Sequence, residues 1–385
     1  MREGRFTRRH FLTVLGAVPV VIALPGGFVL AATLRILKLR HWSAPDHTRI
    51  VIDLDAPARF ETRTYTDPAR IVVEIPGAEA DPLRVPVGDG LVEAIEVDTQ
   101  LRGTVLVRVL LQRDADLTAF PLAPNAGGQS HRIVLDLGKR LTEAERRAEA
   151  QAVESVRDSG DTVIAIDAGH GGTDPGCVAN GLQEKDVALD VARLCAAAIA
   201  RRPRMRPLLT RDKDYFVPLG KRQEIARKYG ARVFVSIHCN SASNAAARGG
   251  EVFFLSPQGA ADKAAKELID RENAADLVGG VPPEEVRTPL LDILVNLKQN
   301  DAMRKSERLG EIVLQRMARV PGSEVRNLKQ GPLAVLKSIS CPSVLVELGF
   351  VTNKRDVRLL ADGATRRLYA EQLAAGVEEY LAGSG

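Results

Sequence analysis

Apolar and polar residues alternate in short runs through the first third of the chain after residue 33. Residues 49–54 (RIVIDL), 70–75 (RIVVEI), 104–111 (TVLVRVLL) and 132–137 (RIVLDL) read as strands with one face buried. Asp67-Pro68, Pro76-Gly77 and the glycines near Asn125 break the runs. Short strands of this spacing, with no helical stretch between them, predict a small all-β sandwich over 33–139. From Asp161 the pattern changes. Apolar runs at 163–166, 206–210, 233–237, 251–255, 334–336 and 344–347 predict strands, and 185–201, 219–228, 263–273, 301–318 and 365–381 carry helical spacing. This alternation predicts an α/β domain over 161–382, with a mostly parallel central sheet flanked by helices. Residues 142–157 (TEAERRAEAQAVESVR) have little apolar face and read as a partly helical linker within 140–160.

The apolar runs of the second domain end in chemistry. VIAI at 163–166 runs into Asp167, Gly169, His170, Gly171 and Gly172, a histidine in a glycine-rich turn. VFVSIHCN at 233–240 repeats the design with His238, and VLVELGF at 344–350 ends in Glu347. Ligands and catalysis gather at the carboxyl ends of parallel strands, so His170 and His238 are expected to converge. Glu184, just before the helix at 185, can bring a carboxylate to the same point. Two His and one Glu form a known catalytic zinc set that leaves one position for water. Glu347 is then the candidate acid–base group. A lone histidine in a turn or a lone glutamate at a strand end is ordinarily a satisfied polar residue; two His and two Glu, three of them at the ends of buried strands, point to metal-assisted hydrolysis.

Composition removes some classes. The formal charge is +4, of which Arg2, Arg5, Arg8 and Arg9 against Glu3 supply +3, so the rest of the chain is close to neutral. With 4% aromatic residues, that gives no footprint for nucleic acid. The early arginines precede an uncharged apolar run from 11 to 33 with Ala31-Ala32 near its end. This is the layout of an export signal over 1–32, and Arg8-Arg9 resemble its twin-arginine type. A retained membrane anchor is the alternative. Cys177, Cys195, Cys239 and Cys341 form no CxxC pair; Cys177 and Cys239 lie near the histidine motifs and are possible ligands, although small buried residues are the simpler role for all four.

Taken together, DAGHGG at 167–172, the Asp174-Pro175-Gly176 turn, Glu184-Lys185-Asp186, Thr210-Arg211, SIHCN at 236–240 and ELGF at 347–350 resemble the zinc-dependent N-acetylmuramoyl-L-alanine amidases of bacterial cell-wall turnover. The β-rich amino-terminal region resembles the AMIN domain that often precedes them. The resemblance implies zinc held by His170, Glu184 and His238, with Glu347 as the catalytic glutamate. It implies a peptidoglycan substrate, a periplasmic location and placement at the division site. Arg211 and Arg222 fall in a stretch similar to the family's and are read as structural or substrate-side.

The long helical stretch at about 262–318 is similar to the insert of division-associated members, in which a helix covers the active site and a glutamate reaches the zinc. Glu272 is the matching residue. A carboxylate in the open zinc position excludes the nucleophilic water, which suffices for autoinhibition. Leu290, Leu291, Ile293, Leu294 and Leu297 offer an apolar handle for an activator protein, or else pack on the core. Two other readings stay open: a zinc peptidase cutting within the stem peptide, and a non-catalytic peptidoglycan-binding scaffold.

Overall fold

The alternating runs of the first domain form two five-stranded sheets packed face to face. The computed structural model describes residues 34–100, 103–124, 130–256, 259–279, 281, 297–337 and 341–383. The expected export signal, and Leu290, Leu291, Ile293 and Leu294 of the insert, lie outside the described residues, as does the Leu297 side chain. Ten strands make up the sandwich: β1 (Leu34–Ser43), β2 (His47–Leu54), β3 (Glu61–Thr66), β4 (Ala69–Pro76), β5 (Ala78–Glu79), β6 (Leu83–Pro86), β7 (Val92–Gln100), β8 (Thr104–Leu111), β9 (Ala115–Leu122) and β10 (His131–Lys139). The sheet orders are β5-β1-β2-β10-β9 and β3-β4-β8-β7-β6. Period two decides which side chains meet between the sheets. Ile50, Ile52 and Leu54 of β2 face inward with Ile71, Val73 and Ile75 of β4 and Val105, Val107 and Val109 of β8, all buried.

The linker is a full helix, α1 (Glu143–Asp158), with none of its residues buried. Its start is fixed locally. Thr142 accepts from the Glu145 amide, and the Glu145 carboxylate accepts from the Thr142 amide, a reciprocal capping box.

The second domain is built on β11 (Thr162–Ala168), β12 (Val178–Ala179), β13 (Leu182–Gln183), α2 (Glu184–Ala200), β14 (Met205–Leu209), α3 (Leu219–Lys228), β15 (Val233–Asn240), β16 (Gly250–Leu255), α4 (Lys263–Asn273), α5 (Ala275–Gly279), α6 (Leu297–Met317), β17 (Val325–Gly331), β18 (Ser343–Phe350), α7 (Lys354–Ala361) and α8 (Gly363–Ala382). Its six-stranded sheet has the order β14-β11-β15-β18-β16-β17. Only the β16–β18 pairing is antiparallel. Val187 and Val191 of α2, Leu309 and Val313 of α6, and Leu373 and Val377 of α8 cover one face. Ala226 of α3 and Leu268 and Ile269 of α4 cover the other. The second half of the 262–318 stretch is thus a core helix, because Leu309, Val313 and Met317 are fully buried.

The structure corrects three expectations. Residues Ala334–Leu336, expected as a strand, form a 3₁₀ turn. Pro332 lacks a donor for a ladder, and Asn273 Oδ1 accepts from the Ala334 amide at 2.7 Å, which holds the segment against α4. The strand at that edge is β17 instead. Its sequence VRNLKQG has no clean alternation, because an edge strand needs less apolar surface and gains from charge. Helix α7 was not expected. Asn353 caps it by accepting from the Arg355 amide, and it buries only Asp356 and Leu360.

Candidate metal centre

Three adjacent strands, β11, β15 and β18, bring their carboxyl ends together, and the residues at those ends form a buried polar centre. His238 of β15 is the register partner of Glu347 of β18. His170 follows β11 in a left-handed conformation, φ 57°. Side chains from α3, β15 and the loop after β14 hold that turn and the strand end before it. Arg222 donates from Nη2 to the His170 carbonyl at 2.8 Å and from Nη1 to the Ala168 carbonyl at 2.6 Å. Arg211 donates from Nη2 to the Gly169 carbonyl at 2.7 Å. Asp167 accepts from Thr210 Oγ1 and Ser236 Oγ, each at 2.6 Å, and from Arg222 Nη1 at 2.8 Å. Arg211 and Arg222 are therefore the structural frame of the histidine turn. Gly169 is required by close approach, since a Cβ there would lie 2.3 Å from the His238 ring.

The Arg222 frame predicts a stability effect. Arg222 and Asp167 are both buried and paired. Arg222→Met leaves the Asp167 charge uncompensated and is expected to destabilise the fold by about 3–5 kcal/mol. Chemical denaturation measures this, and a loss below about 1 kcal/mol would contradict the framing role.

The ligand atoms face one another. His170 Nε2 lies 3.0 Å from Glu184 Oε1 and 3.3 Å from Glu272 Oε2. His238 Nδ1 lies 3.0 Å from Glu184 Oε1 and 3.2 Å from Glu272 Oε2. One donor atom from each of the four residues falls within 4.8 Å of the others. The remaining atoms are occupied. His170 Nδ1 pairs with Asp174 Oδ2 at 2.7 Å, which leaves Nε2 for the centre. His238 Nε2 pairs with Ser236 Oγ at 3.1 Å, which leaves Nδ1. Glu184 accepts from the Cys177 amide at 2.8 Å and the Cys239 amide at 3.0 Å. A carboxylate or hydroxyl behind each histidine is the usual support of a metal ligand.

Electrostatics agree with a cation at this point. Burial opposes charge on both imidazoles, yet the carboxylates prevail. Asp174, Glu184 and Glu272 hold His170 well above its ordinary pKa, and Glu272 and Glu184 raise His238 to about 9. Against the cost of burial, the two rings hold Glu184 and Glu272 below the ordinary carboxylate range. A divalent cation supplies the same two positive charges that two protonated rings would. His170 Nε2 and Glu272 Oε2 are also buried without a hydrogen-bond partner, as atoms reserved for a metal are.

Glu347 differs from the other carboxylates. It is fully buried, and both its oxygens lack a hydrogen-bond partner. Burial, with Glu184 beside it, pushes its carboxyl well above the ordinary range. Perturbation of this kind is common among proton-transfer groups.

Every residue singled out for the site in the sequence comes to this centre, and the cysteines do not. Cys177 donates from Sγ to Ser241 Oγ at 3.0 Å, and all four cysteines are buried and unpaired. Burial raises the Cys177 thiol beyond the ordinary range, so it is a poor thiolate ligand. Cys177 and Cys239 contribute through their backbone amides. Sequence reasoning missed Asp174 as the partner of His170, although its i+4 spacing across a glycine turn was a usable signal. It also missed Arg271, which reaches Glu272 Oε1 at 3.2 Å and Asn240 Oδ1 at 3.2 Å.

The family model described as N-acetylmuramoyl-L-alanine amidase matches residues 164–379. The chain belongs to the N-acetylmuramoyl-L-alanine amidase family. An AMIN domain model matches 38–137, the two-sheet sandwich of this amidase. The amidase is 31% identical to N-acetylmuramoyl-L-alanine amidase AmiC of Neisseria meningitidis, over 98% of each chain. It is 37% identical to AmiA of Escherichia coli, over 71% of this chain and 93% of that one. Among solved structures, AmiC2 of Nostoc punctiforme is 28% identical with a TM-score of 0.44, covering 57% of the amidase and 97% of that chain.

Proposed function

We propose that the centre binds zinc through His170, Glu184 and His238, and hydrolyses the amide between N-acetylmuramic acid and L-alanine of peptidoglycan. The observation that carries this reading is a buried two-histidine, two-glutamate cluster with the unpaired carboxyl of Glu347 beside it. When bound, zinc supplies a Lewis acid for the amide carbonyl and a water of lowered pKa. The protein does the rest. Asp174 and Ser236 orient the two rings, and the Cys177 and Cys239 amides fix Glu184. Glu347 takes the proton from the attacking water and delivers it to the departing L-alanine nitrogen. Burial raises the affinity of the Glu347 carboxylate for the proton it takes from that water.

Glu272 occupies the remaining side of the cluster in this reading and keeps the amidase inactive until helix α4 moves. The AMIN domain holds the enzyme on peptidoglycan. The amino-terminal segment directs export, so the site of action is the periplasm, with daughter-cell separation at the division site as the cellular role. The apolar residues at 290–297 are the attachment point of an activator protein. Among the described residues no helix is long and apolar enough to cross a membrane.

The test is digestion of purified peptidoglycan by the Glu272→Ala variant, which lacks the closing carboxylate, with analysis of the products. Stem peptides bearing free L-alanine amino termini are expected, lost on chelation and restored by zinc. A cut between two amino acids of the stem would overturn the amidase reading in favour of a peptidase. A chain that binds no zinc would overturn the metal reading.

A further inference from the structure

The element that carries Glu272 is fastened at its far end by the other domain. Helix α4 ends at Asn273 and α5 runs directly from Ala275 to Gly279. The Gly279 carbonyl accepts two side-chain hydrogen bonds. One comes from Thr173 Oγ1 at 2.8 Å, in the loop that carries His170. The other comes from Arg49 Nη1, on β2 of the AMIN domain. Arg49 is held for this task. Its Nε donates to Asp136 Oδ1 of β10 at 2.6 Å, its Nη2 to Asp136 Oδ2, and the whole side chain is buried. Its guanidinium lies 6.0 Å from the Phe216 ring centroid. That ring fills the space over Gly279, where a Cβ would lie 2.2 Å from it.

The surrounding contacts extend the same interface. Trp42 and Ala44 of the AMIN domain pack with Tyr215 and Val217 of the catalytic domain. The Leu219 amide donates to Asp276 Oδ1 of α5 at 2.9 Å. A guanidinium held in one domain by a bidentate pair gives a further donor to the other domain's helix end.

We propose that the AMIN domain is part of the autoinhibitory device: Arg49, braced by Asp136, latches the end of the α4–α5 element and so helps to keep Glu272 in the metal centre. This rests on the reading of Glu272 as the residue that closes the site. It assigns a second role to a domain otherwise read as a wall-binding module. Displacement of the AMIN face around Trp42, Ala44 and Arg49 then loosens the cover over the active site.

The experiment compares hydrogen exchange of the full-length wild type with Arg49→Met, which keeps the apolar stem and loses all donors, and Thr173→Val, which removes the second donor to Gly279. Loss of a charge-assisted hydrogen bond is expected to speed exchange across Lys263–Gly279 by about tenfold or more in Arg49→Met, with β11 and β15 unchanged. Transfer of bound zinc to a chelator is expected to quicken with it, because Glu272 is then held less firmly. Faster exchange confined to the AMIN strands, with α4–α5 unchanged, would overturn the latch and leave Arg49 a residue of its own domain. Faster exchange of α4–α5 with unaltered zinc transfer would overturn the link to Glu272. If Arg49→Met does not fold, Arg49→Lys keeps a charge for Asp136 but lacks the fork needed to reach both partners, and the same criteria apply to it. Exchange needs neither metal nor substrate, so failure of the zinc reading leaves the exchange arm, which decides the latch, intact.

Discussion

Glu347→Gln is expected to lose amidase turnover by about 10²–10⁴-fold while it keeps its zinc. The substitution preserves shape at a fully buried position and removes only the ability to take and return a proton. Glu347 makes no hydrogen bond that holds another residue in place, so its loss should not disturb the fold. The ligand cluster is formed by other side chains, so the zinc content should match wild type. The measurement pairs released L-alanine amino termini with metal analysis of the same preparation, using enzyme relieved of autoinhibition. Activity within about threefold of wild type would remove Glu347 from the chemistry. Loss of zinc together with activity would instead make it a supporting residue of the metal site. Both outcomes would contradict the role argued for it.

Glu272→Ala is expected to change activity in the opposite direction. The wild-type carboxylate stands 3.3 Å from His170 Nε2 and 3.2 Å from His238 Nδ1, where, on the proposed reading, it would compete with water and substrate carbonyl for the open side of the centre. An enzyme whose competent state is a small fraction of the total gains activity in proportion when the closed state is weakened. A rise in basal turnover of about tenfold or more is the expected result. Three ligands remain, which is the usual number in a catalytic zinc site, so zinc should still bind. Arg271 and Asn273 would still fasten α4 through Asn240 and Ala334, so the increase should be smaller than that from removing the whole helix. Unchanged or lower basal activity in a zinc-loaded variant would rule out Glu272 as the closing group.

Much of the centre was legible because its residues end apolar runs. His170, His238 and Glu347 each follow a stretch that only a buried strand explains, and adjacent parallel strands place such ends side by side. Glu184 was legible as a carboxylate just before a helix, and the structure makes it the first residue of α2. Glu272 was not legible from pattern, since it sits near the end of an amphipathic helix like any solvent-facing glutamate. Only the family resemblance singled it out, and its 4% exposure shows why spacing was silent. The triplet Ala334–Leu336 misled because three apolar residues suit a buried 3₁₀ turn as well as a strand. The strand Val325–Gly331 was missed because an edge position relaxes the alternation that makes a strand visible.

The sequence by itself determined the two fold classes, most of the strands along the chain and the candidates His170, Glu184, His238 and Glu347. These follow from periodicity, which reports which face of an element is buried, and from residue chemistry, which limits what a buried polar group can do. Only the tertiary structure decided which atoms face the centre. Asp174 and Ser236 choose the free nitrogen of each histidine, the Cys177 and Cys239 amides turn Glu184 inward, and Arg222 holds the turn that carries His170. The grip of Arg49 on Gly279 belongs to the same class, since its partners are 230 residues apart. Such contacts join positions remote along the chain, where sheet order and domain packing set the distance and local pattern carries no trace of it.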